Sequence, residues 1–300
     1  MAERAGAREL GPVSEPARGP GRPGALARAR ALVVAGHPGP SLAISAMIAL
    51  LAAQAAPRGA GPVALVVPAV VAGQFSIGWS NDFFDARRDA TAGRGDKPVV
   101  TGGISRRAVG TAGVIALAVS LGLGLAIGAV AGLVNAVMMA AGWAYNAGLK
   151  ATLASGLTYM LGFGLIPAFA ASTLPGHPAP RPVVTAAAAV LGLGAHFANV
   201  IHDLDGDRVA GVRGLPQQVA ARFGPGAVRL AALVLLLAAS ALLALSAAGP
   251  HRWVSFAGLG VAAVLAAAGA ASPGRLPFLA AIGIGAIDVA LFVFGGVILV

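Results

Sequence analysis

Asn81, Asp85, Asp89 and Gly93 recur every four residues, and the same skeleton returns as Asn199, Asp203, Asp207 and Gly211. On a helix, positions four apart share nearly one face. Each copy therefore presents an amide and two carboxylates as a stripe. The first copy lies in residues 81–97, which hold four aspartates, three arginines and one lysine in an otherwise apolar chain. Two acidic stripes of one design point to two metal sites facing one ligand. Mg2+ takes one or two carboxylates and fills its shell with phosphate oxygens and water, so the expected ligand is a diphosphate. Lys97 and Lys150 are the only lysines, and Arg88, Arg94, Arg208 and Arg213 lie beside the stripes. An EF-hand is excluded, because neither cluster has its Gly at the sixth place and Glu at the twelfth. Solvated loop charge is the plain alternative for one such cluster; two copies with one period weigh against it.

The elements that must carry these stripes are membrane helices. Apolar residues make up 57% of the 300 residues, charged residues 11%, and mean hydropathy is +0.83. Apolar runs of 18 or more residues can cross about 30 Å of hydrocarbon. Nine spans are expected near 40–57, 61–80, 108–126, 129–147, 152–171, 183–201, 227–248, 253–271 and 277–298. Residues 1–30 read as a disordered cytoplasmic tail without a signal-peptide apolar region, and residues 31–300 as one transmembrane domain. Cysteine is absent, which excludes disulfides and thiolate metal sites.

The net charge of +10 follows membrane topology and does not indicate nucleic acid. With the N-terminus inside, only Arg58, Arg181 and Arg252 of the 21 basic residues fall on the outer side, so the C-terminus is expected outside. Both acidic segments then face the cytoplasm as motif loops. Four spans separate them, so the halves repeat about an axis near the membrane normal. The Arg-, Ala- and Gly-rich, Lys-poor usage points to a GC-rich bacterial source.

Three segments together resemble one family. Asn81-Asp82-x-x-Asp85-x-x-x-Asp89, followed by Asp96-Lys97-Pro98 and a Gly-Gly-Ile-Ser turn, resembles the first signature of the UbiA superfamily of intramembrane prenyltransferases. Tyr145-Asn-Ala-Gly-Leu-Lys150 is similar to its Tyr-Ser-x-x-Leu-Lys segment, and residues 199–216 are similar to its second signature. The resemblance implies an all-α fold of nine helices around a central cavity. It also implies Mg2+-dependent transfer of an isoprenyl group from its diphosphate to a lipophilic or aromatic acceptor. Asn81, Asp85, Asp89, Asn199, Asp203 and Asp207 are the expected ligands of metal or metal-bound water. Asp85 and Asp203 are the expected catalytic carboxylates, with Asp82 as a further ligand or a base. Arg88, Arg94, Lys97, Tyr145, Lys150, Arg208 and Arg213 are the expected diphosphate contacts. Lys97 stands where many relatives have Arg, Gly214 where many have Thr, and His202 where many have Arg.

Rival readings differ in their marks. A membrane terpene cyclase of the same superfamily would convert the prenyl diphosphate without an acceptor. A CDP-alcohol phosphotransferase needs an Asp-Gly-x-x-Ala-Arg segment, which is absent. A transporter would place its carboxylates within the spans, where only Asp288 falls. Asp288 is either a functional intramembrane acid or a helix-to-helix hydrogen bond, and both readings stay open. His196 shares a face with Asn199 and Asp203 and either lines an acceptor pocket or, the preferred reading, hydrogen-bonds a neighbouring helix.

Overall fold

In the computed structural model, residues 24–55, 63–201, 204–209, 211–250, 252–272 and 274–300 are described. Arg58, His202 and Asp203 lie outside them. Among the described residues the chain is helical, with a single isolated bridge between Ala247 and Val297. The helices are α1 Ala25–Ala35, α2 Pro38–Ala55, α3 Val63–Thr91, α4 Arg106–Ile127, α5 Ala129–Ala147, α6 Ser155–Gly164 and α7 Ile166–Ala171. They continue as α8 Pro182–Val200, α9 Leu204–Val209, α10 Leu215–Phe223, α11 Pro225–Ser246, α12 Arg252–Ala271 and α13 Leu276–Phe294.

Five helices, α4, α8, α11, α12 and α13, are long and apolar enough to cross a membrane, and α1 with α2 counts as a sixth across a 60° bend. This is a multi-pass membrane protein by composition and architecture. The helices pack as α3 on α4, α2 on α3, α8 on α11, α6 on α8 and α12 on α13. Side chains such as Ile48, Val66, Phe169, Leu233, Leu243 and Ile284 are fully buried between them. Because lipid is as apolar as the core, helix contacts here rest on close packing and interhelical hydrogen bonds. Ser240 donates from α11 to buried Asp288 on α13, and Trp143 on α5 donates to Ser76 on α3 at 3.0 Å.

Three sequence expectations are corrected in detail. The first stripe is not in a loop: α3 runs for 29 residues through Asn81, Asp85 and Asp89, and the loop begins only after Thr91. No glycine or proline interrupts residues 79–91, and the Asp85–Arg88 pair at i,i+3 supports the last turns. The span expected over 152–171 is broken at Leu165 into α6 and α7, with Gly164 before the break and Pro167 after it. A one-turn 310 helix, Leu149–Ala151, precedes it. The tail boundary expected at residue 30 falls inside α1.

The pseudo-repeat holds at the level of backbone hydrogen bonds. Gly93 and Gly211 both adopt positive φ, 67° and 71°. The residue after each glycine donates back to the last carboxylate residue of its stripe: Arg94 N–H to Asp89 O at 3.0 Å, and Val212 N–H to Asp207 O at 2.9 Å. Each glycine N–H also donates to the carbonyl three residues back. Both stripes thus end in the same left-handed glycine cap, which needs a residue without Cβ strain.

Candidate functional site

The C-terminal turns of α3 place Asn81, Asp85 and Asp89 along one wall of a cavity of about 420 Å3. Asn199 at the end of α8 and Asp207 on α9 line the same cavity. That volume suits a small-molecule ligand, for which sites of roughly 300–1,000 Å3 are usual. The charged rim gives way to Ile44, Ile77, Met138, Met139, Phe163 and Ile166. The cavity therefore joins a polar mouth to an apolar body.

Each carboxylate has a distinct environment. Asp85 accepts from Lys150 Nζ through Oδ1 and from Arg88 Nη2 at 2.8 Å through Oδ2. Lys150 is carried there by the 310 turn after α5. Burial pulls its ammonium below the usual lysine range, and Asp85 opposes that shift. Asp89 is 6% exposed and has no hydrogen-bond or ion-pair partner among the described residues. Burial pushes its carboxyl above the usual range, Lys97 opposes this, and Asp85 adds to it. Asn81 donates to Asn146 Oδ1 at 3.2 Å, and Asn146 is itself fixed by bonds to Ile77 O and Ser80 Oγ. The carbonyl oxygen of Asn81 is thereby left for an outside partner. Asp207 accepts from Gln217 Nε2 at 2.6 Å.

The cations are unequal. Arg88, Arg94, Lys97 and Lys150 line the cavity, and so does Tyr145. Arg94 also pairs with exposed Asp96 through two bonds of 3.0 and 3.1 Å, which hold the Asp96 carboxyl below its usual range. Arg208 and Arg213 are exposed and are not part of the lining. Asp82 also stands off the lining. It is 2% exposed, and its Oδ1 meets Lys97 Nζ at 2.6 Å and His37 Nε2 at 3.0 Å. Burial raises this carboxyl, but His37 and Lys97 outweigh burial and the net shift is downward. Asp203 lies outside the described residues.

Beneath the rim, Tyr145 meets Tyr159 edge-on at 5.2 Å, and His196 stacks on Tyr159 at 4.6 Å. His196 is buried and bonds Ser155 Oγ at 3.0 Å, consistent with its reading as a helix-to-helix contact. Gly214 explains one departure. A Cβ there would stand 2.5 Å from Lys150 O and 2.5 Å from Gln217 Oε1. The backbone before α10 thus packs directly on the Lys150 turn and joins the two halves at the cavity mouth.

The stripes, spacing and lysines led to this cavity, but His37, Asn146, Tyr159 and Gln217 also line it and had no motif to announce them. The one local signal for His37 is its place in Gly36-His37-Pro38, where two breakers flank a polar residue at the head of an apolar run.

Among the described residues no three His, Asp or Glu side chains are grouped closely enough to hold a metal by themselves. The donor set still fits a hard ion that brings phosphate oxygens and water. The two stripes offer oxygen donors from two walls, and Asp89 is buried with no direct partner among the described residues.

Comparison with known proteins gives a consistent result. Residues 42–294 match the model of the UbiA prenyltransferase family. No curated protein matches the chain. Among solved structures, a UbiA homologue from Archaeoglobus fulgidus bound to GPP and Mg2+ is similar at 18% identity, with a TM-score of 0.68 over 87% of this chain and 98% of that one. A structure of digeranylgeranylglyceryl phosphate synthase is similar at 16% identity, with a TM-score of 0.65 over 90% and 98%. The apo UbiA homologue from Aeropyrum pernix K1 is similar at 19% identity, with a TM-score of 0.62 over 82% and 95%.

Proposed function

The chain belongs to the UbiA prenyltransferase family, and on that premise we propose that it transfers an isoprenyl group from an isoprenyl diphosphate to a lipophilic or aromatic acceptor within the membrane, with Mg2+ as cofactor. One observation carries this reading: both halves of the chain deliver oxygen donors to a single cavity whose mouth is cationic and whose body is apolar. The homologue bound to GPP and Mg2+ supports the same substrate class.

In this reading Asn81, Asp85 and Asp89 on one wall and Asn199 and Asp207 on the other would hold the ions, with Asp203, which lies outside the described residues, as the further expected ligand. Bound there, Mg2+ supplies the positive charge that stabilises the leaving diphosphate. The protein's own contribution is to place that charge in advance. Lys97, Lys150, Arg88 and Arg94 point fixed cations at the phosphates, so no reorganisation is needed as the C1–O bond lengthens. Tyr145 and Tyr159 face the developing allylic cation with ring surface. The apolar body takes the prenyl tail and keeps water from the cation. Arg208 and Arg213, outside the lining, serve the cytoplasmic face through charge.

The nine-span arrangement also belongs to this proposal. Six spans follow from length and composition, and α3, α5 and the α6–α7 pair supply the rest. The N-terminus is then cytoplasmic, the C-terminus external, and the residues before α1 a tail outside the catalytic domain.

The test is incubation of membranes containing the protein with C10 to C20 and longer prenyl diphosphates and a panel of acceptors, followed by mass spectrometry. A prenylated acceptor formed only with Mg2+ supports transfer. A cyclised hydrocarbon formed from the diphosphate alone identifies a terpene cyclase instead.

A further inference from the structure

The residue that this chemistry leaves unexplained is His37. It sits in the bend between α1 and α2, with φ of 52°, a left-handed conformation that costs a branched or bulky side chain about 1–3 kcal/mol. The bend is fixed on α3 and braced from α2. Trp79 Nε1 donates to Leu32 O at 2.8 Å, and Ser41 Oγ donates to Gly36 O at 2.9 Å. Gly36 and Gly78 meet so closely that a Cβ on Gly78 would overlap Gly36 O. A histidine held in a strained backbone on so rigid a knuckle is well placed to do chemistry.

Its surroundings say which. The imidazole lines the cavity with a side chain 39% exposed, while Asp82 behind it is 1% exposed. Nε2 meets Asp82 Oδ1 at 3.0 Å and Lys97 Nζ at 3.0 Å. Asp82 Oδ2 is buried and has no partner among the described residues. The second ring nitrogen, Nδ1, makes no bond to any described residue. Lys97 Nζ can only donate, so its contact takes the Nε2 lone pair and keeps the ring proton on Nδ1. Once Lys97 turns to another acceptor, Nε2–H donates to Asp82, and Nδ1 is left as a base whose protonated form the buried carboxylate stabilises.

We propose that His37 is the base of this site, taking the proton released when the prenyl cation is quenched. The proposal rests on the prenyl-transfer reading above. The C1–O bond breaks and its electron pair leaves with diphosphate. An electron pair of the acceptor forms the new bond to C1, and the acceptor's proton passes to His37 and then to water. Without an acceptor, a C–H pair of the cation becomes a double bond and the same nitrogen takes that proton. One diphosphate and one proton leave in either case. Lys97 links the two halves of the reaction, because its Nζ is shared between Asp82 and His37 at the cavity wall. A diphosphate oxygen competing for Lys97 leaves Asp82 to stabilise the imidazolium. The other charged groups on the cavity wall are Asp85, Asp89, Asp207, Arg88, Arg94 and Lys150, and they are grouped around the stripes.

The experiment uses the full chain with geranyl diphosphate and Mg2+, and the unreactive thiolo analogue of geranyl diphosphate for binding. His37→Gly suits the positive φ and leaves a hole the size of the ring. Turnover should fall by roughly 10²–10⁴-fold, while Mg2+-dependent binding of the analogue stays within about twofold. Added imidazole should restore turnover of His37→Gly by about tenfold or more. His37→Asn, which also tolerates this backbone and fills the hole, should show the loss without the rescue. Turnover of His37→Gly at the wild-type rate overturns the proposal. So does loss of analogue binding, or a folded His37→Gly protein that imidazole does not rescue. A wild-type protein that does not bind the analogue with Mg2+ overturns the proposed function and this proposal with it, so the two failures read differently.

Discussion

Replacing Asp85 by Asn should destabilise the apo protein by an amount the structure bounds. Asp85 and Lys150 form an ion pair whose side chains are 8% and 11% exposed. Breaking a buried pair by removing one charge costs about 3–5 kcal/mol. An independent ceiling comes from Lys150 itself. An ammonium left unpaired can release its proton, and doing so near pH 7.5 from the ordinary lysine value of 10.5 costs about 4 kcal/mol at 1.36 kcal/mol per unit. The Arg88 contact adds little, because Arg88 is 34% exposed and screened. We therefore expect Asp85→Asn to lose about 3–4 kcal/mol, equivalent to roughly 6–16 °C in the unfolding midpoint at about 2–4 °C per kcal/mol. The sign with pH is fixed. Lys150 in this variant has a folded-state affinity for protons below its unfolded one, so the deficit is full at neutral pH. It shrinks by up to about 1.4 kcal/mol for each unit of rising pH. Unfolding would be followed in detergent with EDTA present, so that metal binding plays no part. Asp85→Asn with Lys150→Met should recover most of the lost stability and none of the activity. A midpoint for Asp85→Asn within a degree of wild type, or a double variant no more stable than the single, would refute the reasoning.

Three further outcomes follow from the same geometry. Gly214→Thr, which restores the residue common among relatives, should cost about 1–3 kcal/mol through overpacking against Lys150 O and lower turnover; a thermal midpoint equal to wild type contradicts the close approach. A reporter fused to the C-terminus should be active only in its external form, and cytoplasmic activity would remove the nine-span arrangement. Deleting residues 1–23 should leave prenyl-diphosphate turnover unchanged once expression and insertion are matched, and loss of turnover would give that segment a role.

The sequence was most legible where physics acts locally. Length and apolarity located helices such as α4, α5, α8, α11 and α12 within a few residues, and the four-residue period put Asn81, Asp85 and Asp89 on one cavity wall. Gly93 and Gly211, placed alike in the two stripes, end them in the same backbone cap. Charge density misled at the end of α3, where an acidic segment looked like a loop. Its carboxylates are neutralised by residues such as Lys150, far away in sequence, which lets the helix continue. Asp82 was indistinguishable from its motif neighbours on the chain, yet its helical position turns it toward His37 and Lys97. Gln217 could not be found from spacing, since its contact with Asp207 depends on how Gly214 seats α10 against the Lys150 turn.

The central claim is that the two stripes act as one unit on one diphosphate. Geranyl diphosphate turnover in wild type, Asp85→Ala, Asp203→Ala and the double variant, each with Mg2+ and with EDTA, tests it most directly. The account predicts that either single substitution lowers turnover by orders of magnitude. The double should be little worse than either single, and EDTA should abolish wild-type turnover. Wild-type rates for both single variants, or full turnover in EDTA, would contradict it.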